Sequence, residues 1–145
     1  MNYIEKTKLE GESSVKMYKP SKYCYFLPLL LLIGGIGSLF SGDPDTADAG
    51  GFVCAMCLVA FYYIKTIEYY VTNKRVVYKY GFGVKTKEFP LGKIETVQLD
   101  EGIIGKLLGF ADVKITGVGN EKLQFSFIED AINVKTLISQ NIENY

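Results

Sequence analysis

The sequence predicts an α+β membrane protein: a transmembrane helical hairpin, then a β-sandwich or barrel that a C-terminal helix closes. Three observations predict it. Residues 23–42 read YCYFLPLLLLIGGIGSLFSG, twenty positions without a charge. A second apolar run, AGGFVCAMCLVAFYYI at 49–64, follows an acidic connection. After Ile64 the apolar period changes from helical to two, and it turns helical again only at Asp130.

Composition bounds the chemistry. A chain of 145 residues has room for one compact domain and a small appendage. Its 16 basic and 16 acidic side chains cancel, so bulk charge offers nothing to a nucleic acid. Histidine is absent, which removes the commonest general base and the commonest zinc ligand together. No nucleophile stands beside a recognisable base and no buried acid pair is evident, so no catalytic residue, metal site or cofactor is expected. Cys54 and Cys57 have CxxC spacing, but a reactive thiolate needs a positive, partly wet setting. With Cys24, they read as small apolar packing residues.

The first apolar run, at about 1.5 Å per residue, matches the roughly 30 Å hydrocarbon core of a bilayer. The second is shorter but extends past Lys65, whose amine can snorkel to the interface. Ala47-Asp48-Ala49 imitates a signal-peptidase site, yet it lies far beyond the first run, and the preceding 22 residues carry three glutamates. The span is therefore read as retained. Lys16, Lys19 and Lys22 precede the first span, and Lys65, Lys74 and Arg75 follow the second. The connection carries Asp43, Asp45 and Asp48 and no base. This bias places both termini in the cytoplasm and the aspartate tip outside, in an integral protein of the cytoplasmic (inner) membrane. Tyr23, Tyr25, Tyr62 and Tyr63 would form an interfacial belt. Gly34, Gly35, Gly37 and Ser38 in the first span, with Gly50, Gly51, Cys54 and Ala55 in the second, are small enough to let the helices approach closely.

In the β region, Ile67, Tyr69 and Val71 alternate with polar or outward positions, as do Val76, Tyr78 and Tyr80. The turn GFG at 81–83 leads into VKTKEF, which runs back toward Pro90. Val97 and Leu99 alternate, then Val113, Ile115 and Gly117; GVGN turns the chain into Leu123, Phe125 and Phe127, read as inward-facing. Asp130 is the expected N-cap of a helix whose Ala131, Val134, Leu137, Ile138 and Ile142 share one face. That makes about six strands and one helix. The glycine-punctuated GIIGKLLG at 102–109 admits three readings. A phosphate loop needs GxxxxGK with a following hydroxyl, and Leu107 stands where the hydroxyl should be. A membrane-dipping knot is the second. The favoured reading is a short helical turn between strands whose Ile103, Ile104, Leu107 and Leu108 fill the open edge of the sheet.

Residues 69–119 carry TNKRV at 72–76, LGKIETVQ at 91–98, IIGKLLGF at 103–110 and ITGVG at 115–119. With the upstream hairpin and LEGE at 9–12, the chain resembles the bacterial pleckstrin-homology (PH) domain family that carries an N-terminal two-helix membrane anchor. Ala111 departs from the glycine often found there, a position with no known chemistry. The resemblance implies a PH-like β-sandwich or barrel of about seven strands capped by a C-terminal helix. The seventh strand would come from residues 13–19, where Val15 and Met17 alternate with polar neighbours. The expected organisation is a cytoplasmic lead-in at 1–22, a transmembrane hairpin at 23–67 with an extracytoplasmic loop at 42–49, and a cytoplasmic PH-like domain at 68–145.

The resemblance supplies no catalytic residue. PH-like domains elsewhere often bind phosphoinositides near the first hairpin. Here residues 74–93 hold Lys74, Arg75, Lys79, Lys85, Lys87 and Lys93 against Glu88, whereas residues 94–145 hold eight acids and four bases. The leading expectation is a membrane-anchored interaction module without catalytic activity, docking a protein partner, anionic lipid headgroups or copies of itself. Lys74, Arg75, Lys79, Lys85 and Lys87 are its candidate contacts. The alternative is a subunit of a homo-oligomeric membrane assembly or an accessory to a transporter or pore. No ionisable residue lies well inside either span, which disfavours transport by the chain itself.

Overall fold

The computed structural model describes residues 3–7, 9–13, 16–82 and 85–145. Val15, Gly83 and Val84, used above, lie outside the described residues. In chain order the elements are α1 (Tyr3–Lys6), β1 (Lys16–Tyr18), a 3-10 turn (Lys22–Tyr25), α2 (Phe26–Leu39), α3 (Pro44–Thr66), β2 (Glu68–Val71), β3 (Arg75–Tyr80) and β4 (Lys85–Pro90). A second 3-10 turn (Leu91–Lys93) leads to β5 (Ile94–Asp100), α4 (Ile103–Leu108), β6 (Ala111–Gly117), β7 (Glu121–Ile128) and α5 (Ala131–Glu143). The chain forms two compact units, residues 22–66 and residues 1–21 together with 67–145.

The helical unit contains two helices long and apolar enough to cross a bilayer, Lys22–Leu39 and Pro44–Thr66. Nearly all their side chains are uncovered by the rest of the chain, unlike the core helix of a soluble domain. Most of the expected loop at 42–49 is the start of α3. Asp43 explains why: its carbonyl accepts the Ala47 N–H at 3.0 Å and the Thr46 hydroxyl at 2.9 Å. Pro44 then opens the helix, where its missing N–H has no partner to lose. Asp45 sits in the first turn, favourably placed against the helix dipole.

The two helices meet at Gly35 and Ser38 on α2 and Gly50, Val53 and Cys54 on α3. A methyl group on Gly50 would lie 1.9 Å from Ser38 Oγ and 2.7 Å from the Gly35 carbonyl oxygen, so only glycine fits. Of the small residues expected to pack, Gly35, Ser38, Gly50 and Cys54 lie in this seam. A Cβ built on Gly34 or Gly37 would meet nothing beyond its own helix backbone within 4 Å, one on Gly51 would meet only Leu39 Cδ2 at 3.9 Å, and Ala55 is exposed. Helical periodicity accounts for the division, because residues next in sequence are turned by about 100° and leave the contact face. A Cβ built on Gly35 falls 2.9 Å from Cys54 Sγ, a spacing suited to a disulfide. Gly35→Cys should therefore crosslink to Cys54 under mild oxidation, read as a mass loss of two hydrogens in the non-reduced chain. Two free thiols at these positions would contradict the seam.

The β unit has two antiparallel sheets, ordered β1-β2-β3-β4 and β5-β6-β7. β1 supplies the seventh strand, pairing Lys16 with Val71 and Tyr18 with Tyr69. The apolar helices are thus inserted in the sequence between two neighbouring strands of one sheet. Tyr69, Val71, Val76 and Phe89 from the first sheet meet Val113, Ile115, Leu123 and Phe125 from the second, and α5 adds Ala131, Val134 and Ile138. Fully burying aliphatic or aromatic side chains of this kind contributes about 1.5–3 kcal/mol each. Asp130 stands before α5, and its carbonyl accepts the Val134 N–H at 3.0 Å. Its carboxylate bonds the Asn133 side chain at 2.7 Å rather than capping a backbone N–H.

Three details depart from simple alternation. Tyr70 and Val77, which alternation puts on the face opposite Tyr69 and Val76, are fully buried with Ile4 of α1 in a second cluster, so the first sheet is covered on both faces there. Phe127, read as inward, is at the surface, and Ile128 takes the buried place. A bulge causes this: Val113 pairs with Phe125 but Ala111 pairs with Ile128, so an extra residue enters β7. Phe127 adopts φ 57°, its N–H held by Asp112 Oδ1 at 2.9 Å and its ring 5.1 Å from that of Phe110. Finally, the aliphatic side chains of α4 fill no sheet edge. Ile103, Ile104 and Leu107 are 92%, 68% and 85% exposed.

Candidate interaction surface

The basic residues singled out in the sequence divide into two groups. Lys74 and Arg75 sit at the start of β3, beside the turn from β2, and are turned toward the N-terminal segment. The Arg75 guanidinium is buried. Its Nε and Nη2 grip both oxygens of Glu12 at 3.0 and 3.1 Å, Nη1 reaches Glu88 at 2.7 Å, and Nη2 also donates to the Thr7 carbonyl at 2.7 Å. Thr72 donates its hydroxyl to Glu12 at 2.8 Å, and the Leu9 N–H reaches the other Glu12 oxygen at 2.9 Å. All three nitrogens of the Arg75 guanidinium are engaged within the fold, and its burial keeps it from a headgroup or a partner. Lys74 bonds the Glu10 carbonyl, and Asn73 holds the Ser13 N–H at 2.8 Å.

Lys79, Lys85 and Lys87 line the rest of the β3–β4 hairpin. Lys79 is half-buried and paired with Glu68 at 2.8 Å, whose other contact is the Tyr70 hydroxyl at 2.7 Å. Burial works to raise the Glu68 pKa, but Lys79 and Tyr70 hold it below the usual carboxylate range. Lys85 and Lys87 are exposed. Antiparallel register places Lys85 opposite Tyr80 and Lys87 opposite Tyr78. Side chains alternate along a strand, so Lys85 and Lys87 stand on one face of β4. The surface available to an anion is therefore narrower than composition suggested: Lys85 and Lys87 are exposed on one face of β4, while Lys79, opposite Thr86, stands on the other face with Glu68.

Sequence reasoning missed the Glu12–Arg75 network. The continuous apolar pairs Tyr69-Tyr70 and Val76-Val77 carried the signal. Adjacent buried residues on neighbouring strands mean that both sheet faces are covered, here by the N-terminal segment. A charge next to such a segment is more economically satisfied within the fold than by a ligand.

The glycine-punctuated stretch forms α4 between β5 and β6. Gly105 is its inward residue: an added Cβ would lie 2.3 Å from the Phe110 carbonyl oxygen. Gly109 closes the helix with φ 76°, in the left-handed region. Lys106 is exposed among the aliphatic side chains. Below lies a groove of about 370 Å³, bordered by Asp100, Ile104, Phe110, Asp112 and Phe127. Lys114 is paired with Asp100 and Asp112 holds Gln124 at 2.6 Å, so the acidic members of this border serve the sheet.

Two small antiparallel sheets, with the C-terminal helix α5 packed against β5 and β6, define a PH-like fold. Residues 26–142 match the family described as Bacterial PH domain, and the chain belongs to that family. The match takes in both apolar helices and runs through most of α5, while β1 and the Glu12 segment precede it. No curated protein matches the sequence.

Proposed function

We propose that this chain is a membrane-anchored PH-like interaction module without catalytic activity, held at the cytoplasmic face of the inner membrane. The observation that carries the reading is the pair of long apolar helices, uncovered by the chain's own residues and inserted between β1 and β2. Two covalent connections, one at each end of the helical hairpin, tether the domain. Basic residues flank the hairpin and aspartates mark its tip, which supports cytoplasmic termini. Family membership supports recognition rather than reaction.

Lys85 and Lys87 form the surface for anionic headgroups; Lys74 and Lys79 are engaged by the Glu10 carbonyl and by Glu68, and Arg75 contributes to the fold. Each lysine near an anionic leaflet contributes about 1 kcal/mol, within a Debye length. Since the domain is already tethered, such contacts orient it. Hydrogen exchange of the full chain in nanodiscs tests this. Replacing zwitterionic by phosphatidylserine-rich lipid should raise protection of the β3–β4 segment, and high salt should reverse the gain. Unchanged protection would remove the headgroup role. The self-association reading is favoured by one feature, the open face around Gly34 and Gly37, where a second helix could approach closely. A strict monomer in native mass spectrometry would remove it.

A further inference from the structure

We propose that α4 is a membrane-inserting wedge, its Ile103, Ile104 and Leu107 entering the interfacial region of the bilayer that the hairpin spans. The inference rests on the anchoring proposed above and assigns a contact to a stretch that neither the basic hairpin nor the family match explains. Ile103, Ile104 and Leu107 are 92%, 68% and 85% exposed, and they are held on a single short helix. The other exposed large apolar side chains of the β unit, such as Leu9, Phe82, Val118 and Ile132, are scattered along the sequence. A cluster of this kind in water loses the free energy that burial would supply.

Construction of the helix supports a presenting role. Gly105 lies against the Phe110 carbonyl with no room for a side chain, while Ile103, Ile104 and Leu107 stay largely exposed. The helix is therefore seated through its glycine and displays its aliphatic groups. Lys106 stands among them with a long apolar stem, the side chain that can keep its amine among headgroups while neighbours enter the acyl boundary.

Area and tethering select the bilayer as the occupant. Six helical residues extend about 9 Å and offer a convex tip. A stable protein interface needs roughly 800 Å² from each partner, which so small a tip falls well short of. A bilayer needs no complementary pocket. Only residues 19–21 separate β1 from the 3-10 turn that leads into α2, and only Ile67 separates α3 from β2. The bilayer is thus present at high effective concentration for any apolar group of the β unit.

The absence of tryptophan makes the test direct, because any tryptophan introduced is the sole one. Leu107→Trp, Ile132→Trp and Phe52→Trp would be prepared in the full chain, each at an exposed position where folding is little affected. Emission is then compared in nanodiscs of ordinary lipid and of lipid brominated on the acyl chains. Phe52→Trp, within α3, reports anchoring; Ile132→Trp, on α5, reports a solvated surface of the β unit. The expected result is a blue-shifted Leu107→Trp emission that loses intensity in brominated lipid, as Phe52→Trp does, while Ile132→Trp does not. Quenching at Phe52→Trp alone would overturn the wedge and leave the anchor standing. A blue shift at Leu107→Trp without bromine quenching would mean burial against protein, such as a second copy, and would also overturn it. No quenching at Phe52→Trp would overturn the anchor, and the wedge with it.

Discussion

Replacing Arg75 with alanine should destabilise the β unit by about 3–5 kcal/mol, the cost of leaving a buried charge without its partner. The Glu12 side chain has no exposed surface, and Arg75 grips both of its oxygens. Small domains have only about 5–15 kcal/mol of stability, so the variant should lose a large share of its fold. Thermal unfolding of the solubilised full chain, followed through the tyrosine signal, measures the loss. The paired variant Glu12→Gln with Arg75→Met removes both charges together and should recover much of it, because the penalty arises from an uncompensated charge. A wild-type midpoint for Arg75→Ala would show that the network is dispensable, and would return Arg75 to the list of available surface charges.

The same network sets a pH response. Burial works to raise the pKa of Glu12, but the Leu9 N–H, the Arg75 guanidinium and the Thr72 hydroxyl together hold it below its ordinary value of 4.5. A carboxylate whose folded pKa is depressed adds stability that is fully present above the unfolded pKa. That stability is lost as pH falls through the folded value. Unfolding midpoints should therefore decline as pH drops below about 4.5, and part of the decline should vanish in Glu12→Gln. Parallel pH profiles for the two proteins would contradict this account.

Phe125→Ala is expected to cost about 3–5 kcal/mol, because it opens a cavity where the two sheets meet. Phe125 is fully buried on β7, and its ring centre lies 4.4 Å from that of Tyr69 on β2. Tyr69 in turn stacks on Tyr78 at 5.2 Å and receives the Ser126 N–H on its hydroxyl oxygen at 3.1 Å. Removing the Phe125 ring therefore loosens a contact that joins the sheets and frees the neighbouring tyrosine. Phe125→Leu keeps most of the volume and should lose substantially less. Urea unfolding of the full chain in detergent distinguishes the cases. Equal midpoints for the alanine and leucine variants would show that the site collapses without a cavity.

Strong periodicity carried much of the fold into the sequence. Val113, Ile115 and Gly117 alternate inward as the pattern requires, and Ala131, Val134 and Ile138 form the buried face of α5. Positions set by tertiary cover or local irregularity were less legible. Tyr70 and Val77 face the short N-terminal helix, whose four residues are too few to show a period. Phe127 fits a perfect alternation, and only the extra residue in β7 turns it outward. Arg75 and Lys85 are both bases on one hairpin, but burial separates their roles, and burial is a property of the fold. The α4 aliphatic residues were misread because apolar side chains in a small domain usually belong to its core.

In the proposed arrangement an apolar hairpin crosses the inner membrane and leaves the PH-like domain on the cytoplasmic side. Single cysteines at Asp45→Cys and Tyr145→Cys, in a chain whose Cys24, Cys54 and Cys57 are replaced by alanine, test it in intact cells with a membrane-impermeant maleimide. Asp45→Cys should react from outside, and Tyr145→Cys should react only after the cells are lysed. Labelling of Tyr145→Cys in intact cells would contradict the arrangement.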